Sequence, residues 1–456
     1  MAHHFNPTIM REYDIRGIVG ETLFDRDAYA IGRSFGTILQ RTDGKTAAVG
    51  FDGRESSPVL AEALIRGLTE SGVDVVRVGL GPTPMLYYAE AELEVAGAIQ
   101  ITGSHNPANY NGFKVVLRHG PFYGAAIQGL GQMAAKGDWL SGSGSVSDTY
   151  MLDLYVDRIS KDFGGKALRI GWDAGNGAAG PAIEKLTALL PGEHHLLFTD
   201  VDSAFPNHHP DPTEEQNLEH LKRLVREKSL DMGLAFDGDG DRIGAIDGTG
   251  RVVWGDQILA ILAKPVLQER PGATIIADVK ASQALYDRIA ELGGQPCMWK
   301  TGHSLIKEKM KETGAPLAGE MSGHIFIADD YYGFDDALYA AVRLIEAVSE
   351  EGKSLAELRD EMPAMINTPE LRFPVEEARK FQVIEEVLQR LEDEGADVNR
   401  IDGARVNTPD GWWLLRASNT QDVLVARAEA TSEEALIRLM KIIDGQLEAS
   451  GVSRPF

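Results

Sequence analysis

The sequence predicts an α/β protein of three similar domains, each a mixed sheet flanked by helices, followed by a smaller C-terminal α+β domain. Three observations carry that prediction. At roughly 150 residues per domain, a chain of 456 residues suggests about three domains. Two short patterns each occur three times, in the same alternating order. Residues 366–456 carry neither pattern and read as a module of a different kind.

The first pattern is an apolar run ending in Asp, a few small or polar residues, and then a helical periodicity. It appears at 47–52, 168–173 and 274–278, ending on Asp52, Asp173 and Asp278, with helices from about Ser57, Ala179 and Ser282. The second pattern is an apolar strand, a polar Gly-containing loop and another apolar strand. Its copies have their loops at 102–111, 237–241 and 319–323. Each repeat would thus present one polar loop at its strand ends, where α/β sheets place their ligands.

Punctuation sets the boundaries at 1–147, 148–254, 255–365 and 366–456. The Ser-Gly run at 141–145 reads as a linker, with Asp148 able to cap the helix after it. Asp247-Gly-Thr-Gly250 reads as a tight hairpin turn, and Asp256 begins the next helix. Helices follow around 337–361, and the stretch 363–374, bounded by Pro363 and Pro374, marks the third change. The last module predicts a helix over 375–394, strands around 412–416 and 423–429, and a final helix from about Ser432.

Composition narrows the function. Asp plus Glu number 69 against 45 Lys plus Arg, a formal charge of -24. A groove tracking a nucleic-acid backbone needs the opposite balance, so neither nucleic acid nor an anionic membrane is expected as a partner. A phosphate-bearing substrate would need a few cations gathered locally. The single cysteine, Cys297, excludes an intramolecular disulfide and suits a reducing compartment. The first ten residues lack an apolar core of signal-peptide length. The most apolar stretch, 258–267, is broken by Lys264 and Pro265, and no run of about twenty apolar residues exists. A cytoplasmic protein is expected.

Four loops could carry chemistry. Asp237-Gly-Asp-Gly-Asp241 alternates three carboxylates that would converge if the chain is extended, a donor set for a hard cation such as Mg²⁺. An EF-hand is excluded, because its positions 6 and 12 fall on Arg242 and Gly248; a solvated acidic turn is the bland alternative. Thr102-Gly-Ser-His-Asn-Pro107 places Ser104 after a strand. His105 is its neighbour, and neighbours in an extended chain point apart, so a triad is not expected, and an ordinary capped turn reads equally well. Gly319-Glu-Met-Ser-Gly-His324 offers Glu320, Ser322 and His324, suited to sugar hydroxyls or to a plain turn. Arg416-Ala-Ser-Asn-Thr420 combines a guanidinium, two hydroxyls and an amide, a phosphate cradle or a simple connection between strands.

Together these strings resemble the α-D-phosphohexomutase family, most closely its bacterial phosphomannomutase/phosphoglucomutase branch. The resemblance runs from Arg11-Glu-Tyr-Asp-Ile-Arg-Gly17 to the C-terminal module and includes Tyr110-Asn-Gly-Phe-Lys114, Lys300-Thr-Gly-His303 and Gly333-Phe-Asp-Asp336. Met321 stands where the phosphoglucosamine branch usually has Gln.

The resemblance implies four domains around a central cleft, each lending one loop. It implies reversible phosphoryl transfer between the 1- and 6-positions of mannose and glucose phosphates, through a phosphoserine at Ser104 and a hexose 1,6-bisphosphate. Asp237, Asp239 and Asp241, with Ser104, would hold Mg²⁺. Arg16, Lys114 and Arg242 match cations around the phosphoserine. Lys114 is a candidate proton carrier whose pKa burial and neighbouring cations would lower. Tyr13, Lys280, His303, Glu320, Ser322 and His324 match substrate-contacting positions, and Arg416, Ser418, Asn419 and Thr420 the cradle of the non-reacting phosphate. A monomer acting on small hexose phosphates is expected. One departure stands out: Asp422 replaces a common Pro, so the chain is expected to bend after Thr420 and carry that carboxylate away. A phosphoglucosamine mutase, a metal-dependent phosphatase and a non-catalytic cation-dependent sugar-binding protein are the alternatives.

Overall fold

A computed structural model describes residues 2–419 and 421–454. Three of its sheets share one plan: a central strand, two parallel neighbours, and an antiparallel fourth strand beside the third. In the first sheet these are Thr46–Phe51, flanked by Asp74–Leu80 and Gly97–Ile101, with Tyr110–Leu117 antiparallel. In the second they are Leu168–Asp173, Gly192–Leu197, Met232–Phe236 and Ile243–Asp247. In the third they are Thr274–Asp278, Gln295–Trp299, Leu317–Gly319 and Ile325–Ile327. The two repeated patterns of the sequence are the central strand with its helix, and the antiparallel pair with its polar loop. Helices Ser57–Glu70, Gly180–Leu189 and Gln283–Glu291 follow the three central strands.

The first sheet adds Ile15–Ile18 on one edge and Val146–Asp148 on the other. That second edge corrects two expectations. Asp148 ends a strand instead of capping a helix, and Leu152–Ser160 begins after Met151 with no side-chain cap. The Ser-Gly segment before it lies on the first domain: Gly142 and Gly144 donate backbone bonds to Glu70 and Thr69. The turn at 247–250 closes as expected, with Gly250 N–H donating to the Asp247 carbonyl at 2.8 Å.

The fourth sheet is antiparallel throughout its ladder Asp397–Asn399, Ala404–Thr408, Gly411–Ala417 and Val423–Ala430. Helices Glu377–Asp393 and Glu433–Ala449 pack on it. Apolar packing divides unevenly. One continuous cluster joins Tyr155, Trp172, Ile258 and Leu338, and so runs through the second and third sheets and their helices. The C-terminal sheet has its own core around Phe373, Trp413 and Leu439. It meets the third sheet at the small cluster Val279, Trp412 and Leu414. No helix among the described residues is long and apolar enough to cross a membrane.

Candidate active site

The three polar loops end their strands close to one another. Ser104 is 2 % exposed and sits at φ +49°, a left-handed conformation that costs a serine about 1–2 kcal/mol. The chain there is not extended, and this overturns the expectation for His105. Ser104 Oγ lies 3.1 Å from His105 Nδ1, and it donates to Asp237 Oδ2 at 3.0 Å. Burial, then the charges of Arg242, Arg16 and Lys114, push the His105 imidazole well below its usual pKa, so it is neutral. Glycine at 238 is required by the close approach of the serine loop, since a Cβ there would lie 2.4 Å from the Ser104 carbonyl oxygen.

Asp237, Asp239 and Asp241 are fully buried, with oxygens within 4.8 Å of one another. They converge through a turn, not through extended alternation. Gly240 takes φ +73°, and Asp237 Oδ1 accepts from the backbone N–H groups of Asp241 and Arg242. Thr83, from the first domain, donates its hydroxyl to Asp239. Lys114 donates to Asp239 at 2.7 Å and to Asp241. Burial, reinforced by Asp239 and Asp241, pushes the Asp237 carboxyl well up; burial also raises Asp239, but the Lys114 charge together with hydrogen bonds from Lys114, Thr83 and Asp237 holds that group low. Burial lowers the Lys114 ammonium, yet Asp239 and Asp241 hold it well above its usual range. The direction is opposite to the expected one, because carboxylates, not cations, face Lys114. Among the described residues, the buried Oδ1 atoms of Asp239 and Asp241 have no hydrogen-bond partner. Three buried carboxylates, two of them with an unsatisfied oxygen, form a donor set suited to a divalent cation.

Arg16 pairs with Asp14, and Arg242 Nε donates to His324 Nε2 at 2.9 Å. On its other side His324 Nδ1 lies 3.1 Å from Asp335, a buried carboxylate that also accepts from Lys307 at 3.0 Å. His303 stacks on His324 at 5.6 Å between centroids. Glu320 and His324 face each other across a tight turn, Glu320 N–H donating to the His324 carbonyl at 2.9 Å, and Glu320 accepts from Gly302 N–H at 2.7 Å. Ser322 is half-buried on that turn. Lys280 is buried and donates to Glu370 at 3.1 Å. Lys280 pulls the Glu370 carboxyl down to about 2, and Arg372 adds to the effect.

Tyr13 ties three domains together: its hydroxyl donates to the Thr301 carbonyl at 3.0 Å and accepts from Asn419 at 2.6 Å. Arg416 Nε is held by Asp402 at 2.9 Å. Ser418 N–H donates to the Val423 carbonyl at 3.0 Å, and the chain bends at Gln421–Asp422, leaving Asp422 exposed. Thr420 lies outside the described residues.

Sequence reasoning missed Arg54, Thr83, Lys307, Asp335 and Asp402. Asp335 lies within the motif 333–336, and Asp52 and Asp278, which close two repeat strands, prove to brace the loops. Asp52 accepts from Gly103 N–H at 3.0 Å and Asp278 from Met321 N–H at 3.0 Å. Thr83 and Asp402 carry no local signal.

A buried serine hydrogen-bonded into a cluster of three buried carboxylates is an arrangement suited to phosphoryl transfer. Four family models cover the chain: the phosphoglucomutase/phosphomannomutase α/β/α domains I, II and III at 7–138, 153–250 and 254–365, and the C-terminal domain at 370–446. The chain belongs to the phosphoglucomutase/phosphomannomutase family, the bacterial branch of the α-D-phosphohexomutases. It is 44% identical over 449 residues to a phosphomannomutase/phosphoglucomutase of Pseudomonas aeruginosa, covering 98% of this chain and 97% of that one. It is 43% identical to a phosphoglucomutase of Neisseria gonorrhoeae, covering 97% of each. A phosphoglucomutase/phosphomannomutase family protein from Burkholderia thailandensis superimposes with a TM-score of 0.93 at 43% identity, over 99% of this chain and 100% of that one.

Proposed function

We propose that the enzyme interconverts the 1- and 6-phosphates of mannose and of glucose through a phosphoserine at Ser104. The observation that carries this reading is the buried Ser104 hydroxyl, 3.0 Å from Asp237 in a cluster of three carboxylates. In the first half-reaction the Ser104 Oγ–P bond breaks as the hydroxyl oxygen of the bound monophosphate bonds to phosphorus, giving a hexose 1,6-bisphosphate; the second half-reaction runs these bond changes in reverse on the other phosphoryl. The hydroxyl proton ends on Ser104, and Lys114 is the proposed carrier. Its ammonium gives a proton to the departing serine oxygen and retakes one from the attacking hydroxyl. Asp237, Asp239 and Asp241, with a phosphoserine oxygen, would hold Mg²⁺, which would offset charge on the transferring group.

Arg16 and Arg242 add fixed positive charge beside the phosphoserine. Tyr13, Lys280, His303, Glu320, Ser322 and His324 contact the sugar, and Arg416, Ser418, Asn419 and Thr420 grip the phosphate that does not react. After the first transfer the bisphosphate reorients, so that its other phosphoryl returns to Ser104. The four loops reach this cleft from structural units at 1–147, 148–254, 255–365 and 366–456, in a cytoplasmic monomer.

Incubating the enzyme with glucose 1,6-bisphosphate and mapping phosphate by intact-mass and peptide analysis tests the reading: one phosphoryl on Ser104 is expected. In a coupled assay with glucose 1-phosphate, release of inorganic phosphate in place of glucose 6-phosphate would establish the phosphatase alternative.

A further inference from the structure

We propose that Asp52, Arg54 and Thr102 are positioning residues that set the Ser104 hydroxyl for phosphoryl transfer; this rests on Ser104 being the phosphoryl carrier. Ser104 sits in the left-handed region, which a non-glycine residue holds only where its surroundings over-determine it. The surroundings here are a buried network whose hydrogen bonds are formed within the first domain, with Phe205 of the second domain under the Arg54 guanidinium at 5.4 Å.

Arg54 is 2 % exposed, and its guanidinium donates to four carbonyl oxygens of one loop. They are Ser104 and Asn106 at 2.7 Å each, Pro107 at 2.6 Å and Tyr110 at 2.9 Å. A planar fork can meet several acceptors at fixed angles, which a lysine ammonium cannot. Asp52 holds the Arg54 Nε at 3.2 Å and accepts from Gly103 N–H and from the Thr102 hydroxyl at 2.8 Å. The Thr102 oxygen in turn accepts from Ser104 N–H at 2.8 Å. The serine is thus pinned from its amide through Thr102 to Asp52, and from its carbonyl through Arg54 to the same Asp52. With both ends of the residue fixed, its side chain is aimed at Asp237 and His105.

Glycine at 103 belongs to the same device. A Cβ there would lie 2.4 Å from the Arg54 guanidinium, so the small residue before the serine makes room for the arginine. Among the described residues, the side-chain hydrogen bonds of these three groups go to the first domain alone. Their loss should therefore slow transfer without weakening the grip on the far phosphate.

The test uses the full-length, dephosphorylated protein and glucose 1,6-bisphosphate, with the rate of mass gain on Ser104 followed by quench-flow. Misplacement of a reacting group by about 1 Å costs on the order of 100-fold, so T102V and R54K should load Ser104 about 100-fold more slowly. T102S keeps the hydroxyl and should stay within about threefold of wild type, and Kd for mannose 1-phosphate should change by less than about twofold in all three. A purely structural role would lower thermal stability in T102V and R54K but leave loading in the folded protein unchanged, and that result would overturn the proposal. Equal losses in T102S and T102V would overturn it as well. Should R54K not fold, the threonine pair decides alone. Wild type that gains no phosphate on Ser104 would instead refute the phosphoserine reading.

Discussion

The proposed transfer centre around Ser104 and the proposed phosphate loop of the C-terminal domain are built on opposite principles. Ser104, Asp237, Asp239 and Asp241 are each no more than 2 % exposed, and Thr83, Lys114 and Arg54 from a different part of the chain lock them in place. The loop after Ala417 is tied by Ser418 N–H to the Val423 carbonyl and by Asn419 to the Tyr13 hydroxyl, and its Asp422 is exposed. The domains differ in the same way. A continuous apolar core unites the second and third sheets, whereas the fourth meets the third through a small apolar cluster of Val279, Trp412 and Leu414 with Met298 and Ile401 against it, and through Arg405 and Arg427 donating to the carbonyls of Val279, Ala281 and Lys280. Bond making needs atoms placed to a fraction of an ångström. Holding a phosphate that arrives on either end of a sugar needs charge and some compliance.

Changes at the rigid centre should therefore act on turnover, and changes at the loop on binding. The largest effect is expected at the phosphoryl carrier. Ser104→Ala should lose at least about a thousandfold in kcat while keeping its thermal midpoint, since only a hydroxyl there can carry the group. Activity near wild type would remove this serine from the mechanism.

Next comes the carboxylate cluster. Loss of outer partners alone costs about 10–100-fold in metal affinity, so Asp239→Asn should weaken Mg²⁺ binding by more than about tenfold, read by titration calorimetry. Wild type treated with chelator should be inactive until Mg²⁺ is returned; full activity without any divalent ion would show that the cluster needs none.

At the loop, Arg416→Ala removes a charge-assisted contact and should cost about 2–4 kcal/mol in substrate binding with a smaller effect on kcat. A selective fall in kcat would erase the distinction between the two regions.

Stability should differ with pH as well. Asp336 caps the helix Ala337–Glu351 at the junction of the second and third domains, bonded by Tyr155, Tyr331 and the Tyr339 amide. Burial raises its carboxyl from 3.8 to about 6, against those hydrogen bonds. The folded state thus binds the proton more tightly than the unfolded one. Its contribution is fully present below pH 3.8 and is lost as pH rises through about 6. Asp336→Asn mimics the protonated form, so its stability relative to wild type should be higher at pH 7.5 than at pH 4.5, by on the order of 1–3 kcal/mol. Chemical denaturation at the two pH values measures it, and no change in the gap would contradict the cause assigned.

The smallest effect belongs to Asp422. Its exposed carboxylate should be screened, so Asp422→Asn should shift KM by less than about 1 kcal/mol at either of two salt concentrations. Tightening beyond tenfold at low salt would place the carboxylate against the phosphate.

The sequence by itself determined the repeat, the order of the elements and which polar loops end the strands of each repeat. Those rest on local signals: periodicity, turn residues, and a carboxylate or hydroxyl at the end of a strand. The aspartates that close the repeat strands were visible too, though not their duty of bracing the loops. Only the tertiary structure decided how the loops are shaped and what faces them. An extended chain predicts that Ser104 and His105 diverge and that three aspartates align. A left-handed serine and a glycine turn bring the first pair together and fold the second set around one point. Lys114 was legible as a cation but not its direction of shift, because the carboxylates that set it lie more than a hundred residues away. Arg54, Thr83 and Asp402 give no local sign of their work, since each acts across a contact that exists only once distant strands have packed.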